Sequence, residues 1–305
     1  MAISRENIQL GQGRAFRLLR WNEDISEVEE VVSPNKAMTL HGRGDQWHYH
    51  PQVELTLVQQ GEGTRYIADN IELFHPGDLV LIGSNVPHYW HVRGKSSGLA
   101  IQWHFPKQHG IWDFMECSSL ATLEKNALMG QCLTGKTADS IRGLMANMHL
   151  YQGFSQLAHL FSIISVLAEA PKTDLRALSS RPFSLSGTDA QQEAIRRAVS
   201  YIIAHYREPI RLDVLLELTA MSRATFARQF QLHAGRSFST FLNQVRLQAV
   251  RRALRNTDDP ITSIALDNGF NQLSFFNRLF RREFGMNPST FRETERSRRK
   301  HENSD

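Results

Sequence analysis

Cysteine is nearly missing from this sequence: Cys117 and Cys132 are the only two among 305 residues. Two thiols build neither a disulfide framework nor a four-thiolate zinc site, so unpaired spectators in a reducing compartment are expected. Also missing is any run of the roughly 18 to 20 apolar residues that spans a bilayer. The first residues, Met1-Ala2-Ile3-Ser4-Arg5-Glu6-Asn7, carry no apolar segment of the kind that heads an exported chain. A soluble, cytoplasmic protein with no membrane partner is therefore expected. Lysine is scarce at one end: of the 19 cations from residue 187 onward, 18 are arginine and one is Lys300. The same stretch holds 13 Asp plus Glu, whereas residues 1–186 hold 16 cations against 18 anions. Arginine's planar fork suits phosphates and base edges, which marks the C-terminal end as the place for a polyanionic partner. The tail Arg296-Ser297-Arg298-Arg299-Lys300 lies outside any amphipathic pattern and reads as a frayed electrostatic extension.

What is present is ordinary globular composition, 41% hydrophobic and 22% charged. That excludes disorder, collagen-like repeats and a long coiled coil, and at this length it favours two domains. From about 14 to 106, short β-type runs (Val53 to Gln59, Thr64 to Ile67, Asp78 to Ile82, Leu99 to His104) alternate with turn signals at Gln60-Gly61-Glu62-Gly63, Pro76-Gly77-Asp78 and Gly94-Lys95-Ser96-Ser97-Gly98. Many short strands with no long helix between them mean a sandwich or barrel. From about 112 to 170 the period turns helical, with Phe154, Leu157, Ala158, Phe161, Ile164 and Leu167-Ala168 as one stripe. Residues 171–187, rich in Pro, Ser and Thr, read as a linker. Beyond Thr188 everything again reads as helix.

The C-terminal region repeats itself. A shift of 50 residues superimposes Phe226/Phe276, Arg228/Arg278, Phe230/Phe280, Gly235/Gly285, Ser239/Ser289, Thr240/Thr290 and Phe241/Phe291, seven identities in a sixteen-residue window. Each copy predicts a short helix, a tight turn, a helix bearing Phe-x-Arg-x-Phe, then Gly and a further helix start. Leu212 to Thr219, a turn at Ala220-Met221 and Ser222 as N-cap make the first copy. Ile261 to Asn268, a turn at Gly269, and Asn271 or Gln272 opening the next helix make the second. Thr240 to Asn256 predicts a connecting helix of roughly 25 Å, compatible with recognition helices in groove segments roughly 34 Å apart.

The pattern Ile264-Ala265-x3-Gly269-Phe270-x5-Phe276-x-Arg278-x-Phe280-x4-Gly285-x2-Pro288-Ser289-x-Phe291-Arg292 resembles the signature of AraC-type transcription regulators, over roughly 190 to 292. The first copy departs from it, with Leu216 where that family usually has alanine and Ala220 where it usually has glycine. On a 100° wheel Phe226 and Phe230 turn inward and leave Ala224, Arg228 and Gln231 outward; Phe276 and Phe280 bury and expose Ser274, Arg278 and Arg281, with Asn277 at the margin. These seven are the DNA-reading candidates. Arg228 and Arg278 equally fit surface ion pairs or phosphate contacts. Since the family commonly has arginine there, promoter choice would rest on Ala224, Gln231, Ser274 and Asn277. The resemblance further implies promoter DNA, RNA polymerase, a small-molecule effector and a second copy of the chain as partners.

Gly42-x5-His48-x-His50-x3-Glu54-x6-Gly61 resembles the first cupin motif at every defined position. The second motif is partial: Gly77 and His88 keep their separation, but Gly83 and Asn85 replace proline and glycine, and Val92 replaces the terminal asparagine. His48, His50 and Glu54 at even spacing share one face of an extended strand, and His88 joins them from a neighbouring strand. Such a set suits divalent Fe, Mn, Ni or Zn with open positions for water or ligand; a metal-free, hydrogen-bonded polar cluster is the alternative. Trp47, Trp90 and Trp103 flank these residues and complete a candidate effector pocket, with a lean toward a carbohydrate. The expected class is α+β with two domains, an N-terminal cupin-type antiparallel β-barrel followed by helices and a C-terminal all-α tandem helix-turn-helix. The expected boundaries are 1–110 barrel, 111–170 helical dimerisation or signal segment, 171–187 linker and 188–295 DNA-binding domain. The expected function is a ligand-responsive transcription regulator, not an enzyme; a metal-dependent cupin dioxygenase or isomerase fused to a DNA-binding domain is the competing reading.

Overall fold

The computed structural model describes residues 14–41, 46–179, 181–183 and 189–302. Gly42 of the first motif, Gly187 at the end of the expected linker and Thr188 at the start of the expected DNA-binding domain lie outside the described residues. The chain divides into two compact units with the boundary between Arg196 and Arg197. No helix among the described residues is long and apolar enough to cross a membrane.

The first unit holds β1 (Phe16–Glu23), β2 (Glu27–Ser33), β3 (Lys36–His41), β4 (Val53–Ile67), β5 (Asn70–Phe74), β6 (Leu79–Ile82), β7 (His88–Trp103), β8 (Gln131–Leu133) and β9 (Leu175–Ala177). All pair antiparallel in one sheet of order β3-β2-β1-β7-β4-β6-β8-β9, with β5 on β4. Alternation gives the sheet two apolar faces. Leu18, Leu55, Leu57, Leu99, Ile101 and Trp103 pack against three helices, α1 (Ser118–Ala127), α2 (Gly135–Asn147) and α3 (Gly153–Ala168). Leu19, Val28, Val58, Val80, Ile82, Trp90 and Ala100 form the other core. Val28 on β2 and Val80 on β6 share it although their strands stand four places apart in the order, so the sheet curls into a barrel around this second core.

Three local expectations change. Gln60 to Gly63 and Gly94 to Gly98 are not turns but lie inside β4 and β7, which run 15 and 16 residues. The two strands bend together there: the pairing register shifts twice between Val58 and Glu62, and Gly61 takes a φ of +97° with Ser96 so close that a Cβ would stand 2.7 Å from it. A bulge at a barrel corner uses glycine as a turn does, so sequence alone does not separate them. Second, α3 buries Gln156, Leu160, Ile163, Ile164 and Leu167, while Phe154 is 83% and Phe161 40% exposed. The apolar arc of the helix is wider than the face the sheet covers, so its period fits more than one face; the sheet selected the face through Leu160 and Ile164. Third, the segment expected as a linker is built into the unit as far as Phe183: β9 pairs with β8, and Leu178 and Phe183 join the barrel core. The free thiols behave as expected, Cys132 buried and Cys117 half-buried.

The second unit is helical. After α4 (Asp189–His205), which carries the boundary, come α5 (Leu212–Thr219), α6 (Arg223–Ala234), α7 (Phe238–Asn256), α8 (Ile261–Asp267), α9 (Leu273–Phe284) and α10 (Pro288–Glu302). The repeat is real in three dimensions: Gly235 and Gly285 end α6 and α9 in the same left-handed conformation, each with φ 73°. The arginine-rich tail is helical to Glu302 rather than frayed, and Arg296 pairs with Asp258.

His233 on α6 is 4% exposed and its Nε2 has no hydrogen-bond partner. Burial pushes its pKa down to about 4, so the folded unit keeps it neutral. An unfolded chain gains that proton as pH falls below about 6.5, the folded chain only near the lowered value; the stability is whole above that window and is lost on descending through it. Denaturant melts should therefore show a loss of roughly 2 kcal/mol between pH 7 and pH 5, and His233→Leu should flatten that limb. An unchanged slope in the variant would remove His233 as its cause.

Candidate functional site

Each helix-turn-helix is built from local signals. In the first, α5 ends at Ala220, which takes a left-handed φ of 53°, and the Ser222 hydroxyl accepts the Thr225 N–H at 3.3 Å to start α6. In the second, Gly269 has a φ of +87° and sits so close to Arg246 and the Tyr206 carbonyl that a Cβ would come within 2.7 Å of both. The first copy puts Ala220 in the corresponding turn, one residue out of the 50-residue shift, so the first turn carries the strain that glycine avoids in the second. Gln272, without a side-chain cap, precedes α9.

Phe226, Phe230, Phe276 and Phe280 are fully buried. The opposite faces carry Ala224, Arg228 and Gln231 on α6 and Ser274, Asn277, Arg278 and Arg281 on α9, all seven exposed. Gln231 is engaged, its Nε2 donating to the Gly235 carbonyl at 2.9 Å. Among the described residues no carboxylate pairs with Arg228, Arg278 or Arg281, so the ion-pair alternative loses its partner. Arg278 lies 5.5 Å over the Phe275 ring, which braces the guanidinium without neutralising it. Arg278, Arg281 and Asn277 also wall a cleft of about 900 Å³ that is closed by Arg282, Ser289 and Thr290. Sequence reasoning missed these last three; the Ser-Thr pair shared by both repeats at the start of the third helix was the available signal. Three arginines beside the N-terminal turn of α10 form a site suited to phosphate.

The histidine site lies inside the barrel. His48 precedes β4 and pairs with His88 through two backbone hydrogen bonds of 3.1 and 2.9 Å. That brings the buried His48, His50 and His88 together with one ligand atom each within 4.8 Å of the others. Asn85, where the motif has glycine, takes a φ of 58°, a conformation asparagine tolerates best after glycine. The departure is thus absorbed. Glu54 stands at the edge of the set, Oε2 3.1 Å from His50 Nε2 and 3.8 Å from His88 Nε2. Thr56 Oγ1 donates to its other oxygen at 2.5 Å and Gln102 Nε2 to Oε2 at 2.5 Å. Gln102 in turn accepts from Arg17 Nε at 2.5 Å.

The tautomers follow from the second hydrogen bonds. His48 Nδ1 faces the Gln46 carbonyl at 2.7 Å, His50 Nδ1 the Gln52 carbonyl at 3.2 Å and His88 Nδ1 the Val86 carbonyl at 2.8 Å. A carbonyl accepts only, which assigns the proton to Nδ1 in His48 and His88, the arrangement that metal-ligating histidines adopt. His50 stands between two acceptors, the Gln52 carbonyl and the Glu54 carboxylate 3.1 Å from its Nε2, so its Nε2 donates to Glu54 when no cation stands there. His88 Nε2 is buried without a hydrogen-bond partner. Burial, reinforced by His48, pushes the His88 pKa down. Burial alone would raise Glu54, but its hydrogen bond with His50, the charges of His88 and His50 and the Gln102 bond hold its carboxyl well below the usual range. Converging lone pairs and a carboxylate need a cation or a shared proton between them. The buried histidine triad can hold a metal ion on these grounds. Trp90 belongs to the site, its ring edge-on to His88 at 5.5 Å, and Trp47 is buried beside it in sequence. Trp103 does not: it lies on the opposite face, in the core beneath the helices, because it neighbours the inward-facing Gln102. Gln102 and Thr56 are the inward residues that sequence reasoning missed.

Comparison with known proteins fits both sites. The helix-turn-helix domain family matches residues 215–294 and the cupin domain family residues 38–103. The transcriptional activator RhaS of Escherichia fergusonii is 32% identical over 109 residues, 36% of this chain and 39% of that protein. RhaS of an Enterobacter species is 23% identical over 253 residues, 81% of this chain and 87% of its own length. A probable AraC family regulator from Rhodopseudomonas palustris aligns at 34% identity over 33% of this chain and 96% of that one, with a TM-score of 0.32. The two RhaS relatives are activators of transcription. With a cupin domain toward one end and paired helix-turn-helix units toward the other, the chain belongs to the AraC-type DNA-binding transcription regulators.

Proposed function

We propose that this chain is a cytoplasmic activator whose barrel binds a small effector beside a metal ion and whose two recognition helices read promoter DNA. The observation that carries the DNA half is the pair of like-built helices α6 and α9, each presenting arginine without a carboxylate partner, tied by one continuous α7. Arg228, Arg278 and Arg281 supply affinity; Ala224, Gln231, Ser274 and Asn277 supply promoter choice, by contacts to base edges. The three Nε2 atoms carry the sensor half. His48, His50 and His88 would ligate Zn, Fe, Mn or Ni, with Glu54 as a fourth ligand or as the acceptor that orients a bound water. The metal would act as a Lewis acid for the effector's oxygens, a chemistry that suits a polyol such as a carbohydrate, with Trp90 and Trp47 at its apolar side. A second copy would cover the exposed Phe154 and Phe161 of α3, and RNA polymerase would meet the DNA-bound form.

Selection of binding sites from random DNA by the purified full chain tests the reading. A site of two conserved segments about one helical turn apart is the expected result, with affinity that changes on adding members of a sugar panel or on chelation. No enriched site, or one bound identically under all these conditions, would dismiss the regulator or the sensor half respectively.

A further inference from the structure

A second cavity lies outside the barrel, between β1, β2 and the start of α3, with a volume of about 270 Å³. It is near the lower end of the range for small-molecule sites. Its apolar walls are Phe16, Leu18, Val31 and Leu157. Leu18 and Val31 belong to the core between sheet and helices, so the cavity is on the face away from the histidines.

Gln156 is the buried polar side chain of this lining. Gln156 is 7% exposed, and its buried Nε2 has no hydrogen-bond partner. A buried amide donor left unmatched is disfavoured unless something in the cavity accepts from it. The cavity also meets the N-terminus of α3 at Gly153. That helix is 16 residues long, its N-cap residue Gln152 makes no side-chain cap, and its first turn holds no acidic residue. Uncapped first-turn N–H groups and the helix dipole favour an anion. The charged residues around the cavity are Arg14, Arg17 and Glu30, and Glu30 is already ion-paired with Arg14. Arg17 donates its Nε to Gln102 on the opposite face of the sheet, so the groups offered to an anion here are Gln156 and the first turn of α3.

We propose that this cavity is a second ligand site, which takes a small monocarboxylate with an apolar body. The carboxylate would accept from Gln156 Nε2 and from the first turn of α3, and the body would lie on Phe16, Leu18, Val31 and Leu157. At roughly 30 Å³ per water, the volume equals about nine waters, the size of a single ring or a short chain. The site is independent of the effector and metal reading of the barrel.

Calorimetric titration of the full-length, metal-stripped protein with sodium phenylacetate tests this, with hexanoate as the chain-like probe and phenylacetamide as the uncharged control. Saturable binding of at least one acid is expected, with the amide about tenfold weaker than phenylacetate. Gln156→Leu keeps the shape and removes the donor, and should weaken the acid about tenfold while leaving the thermal transition in place. If that variant melts early, Leu157→Trp, which fills the cavity from the helix side, replaces it with the same expected loss. Absence of saturable binding by both acids, equal affinity for acid and amide, or affinity unchanged by the folded cavity variant would each overturn the proposal. Acid binding that needs added metal would also overturn it, by placing the ligand on the histidines.

Discussion

Replacing His50 with alanine should empty the barrel of metal. Protein purified without chelator is expected to carry about one divalent transition ion per chain in the parent and only background in the variant. The effect on stability should be large, because a ligand that binds only the folded state adds about 4 kcal/mol when present at a thousand times its Kd. The loss should be most marked at neutral pH, where the competing protons are few. His75→Ala, a histidine at the Pro76-Gly77 turn, should change neither quantity. Stoichiometric metal surviving in His50→Ala would remove the site. If the parent itself contains no metal after growth in supplemented medium, a proton and not an ion lies between His50 and Glu54, and the Lewis-acid role falls with it.

Arg278→Ala should weaken operator binding by roughly 1 to 3 kcal/mol without unfolding the second unit, since the side chain is exposed. It should cost more than Arg228→Ala. Arg278 is braced by Phe275 and shares its cleft with Arg281 and Arg282, whereas α6 follows a turn strained at Ala220. Equal losses would refute the asymmetry. The salt dependence separates two roles: each phosphate contact contributes about 0.9 to the slope of log affinity against log salt, so a phosphate-binding Arg278 lowers that slope when removed, while a base-reading one leaves it nearly unchanged. An unaltered dissociation constant would take Arg278 out of the interface.

The helical half was readable because its signals are local. A tight turn, a cap and a buried phenylalanine pair act within a few residues, and a second copy repeated them, so Leu212 to Thr219 came out at its observed bounds. The barrel half was readable only where a motif named its residues. Reading Gly94 to Gly98 as a turn broke the count of alternating faces along what is one strand from His88 to Trp103. With the count intact, His88, Trp90, Ala100 and Gln102 share a face and Trp103 falls on the other, as observed. Gln102 was invisible for the same reason: its importance comes from lying opposite Glu54, a pairing set by register between strands almost fifty residues apart. The face of α3 and the burial of Phe183 are likewise decided by the surfaces they meet.

The connector α7 leaves the DNA to supply the give. Its 19 residues extend about 28 Å. It packs against α6 on one side and α8 and α10 on the other, with Phe241, Leu242, Val245, Leu247, Val250 and Leu254 all buried. Bending such a rod would open both small cores, so the two reading heads keep a fixed stride. Where that stride differs from the pitch of B-form DNA, the duplex must curve or change its twist between the two contacted segments. Pyrimidine–purine steps yield most easily to such distortion. The intervening base pairs would then be selected by their stiffness, at positions that no side chain reaches.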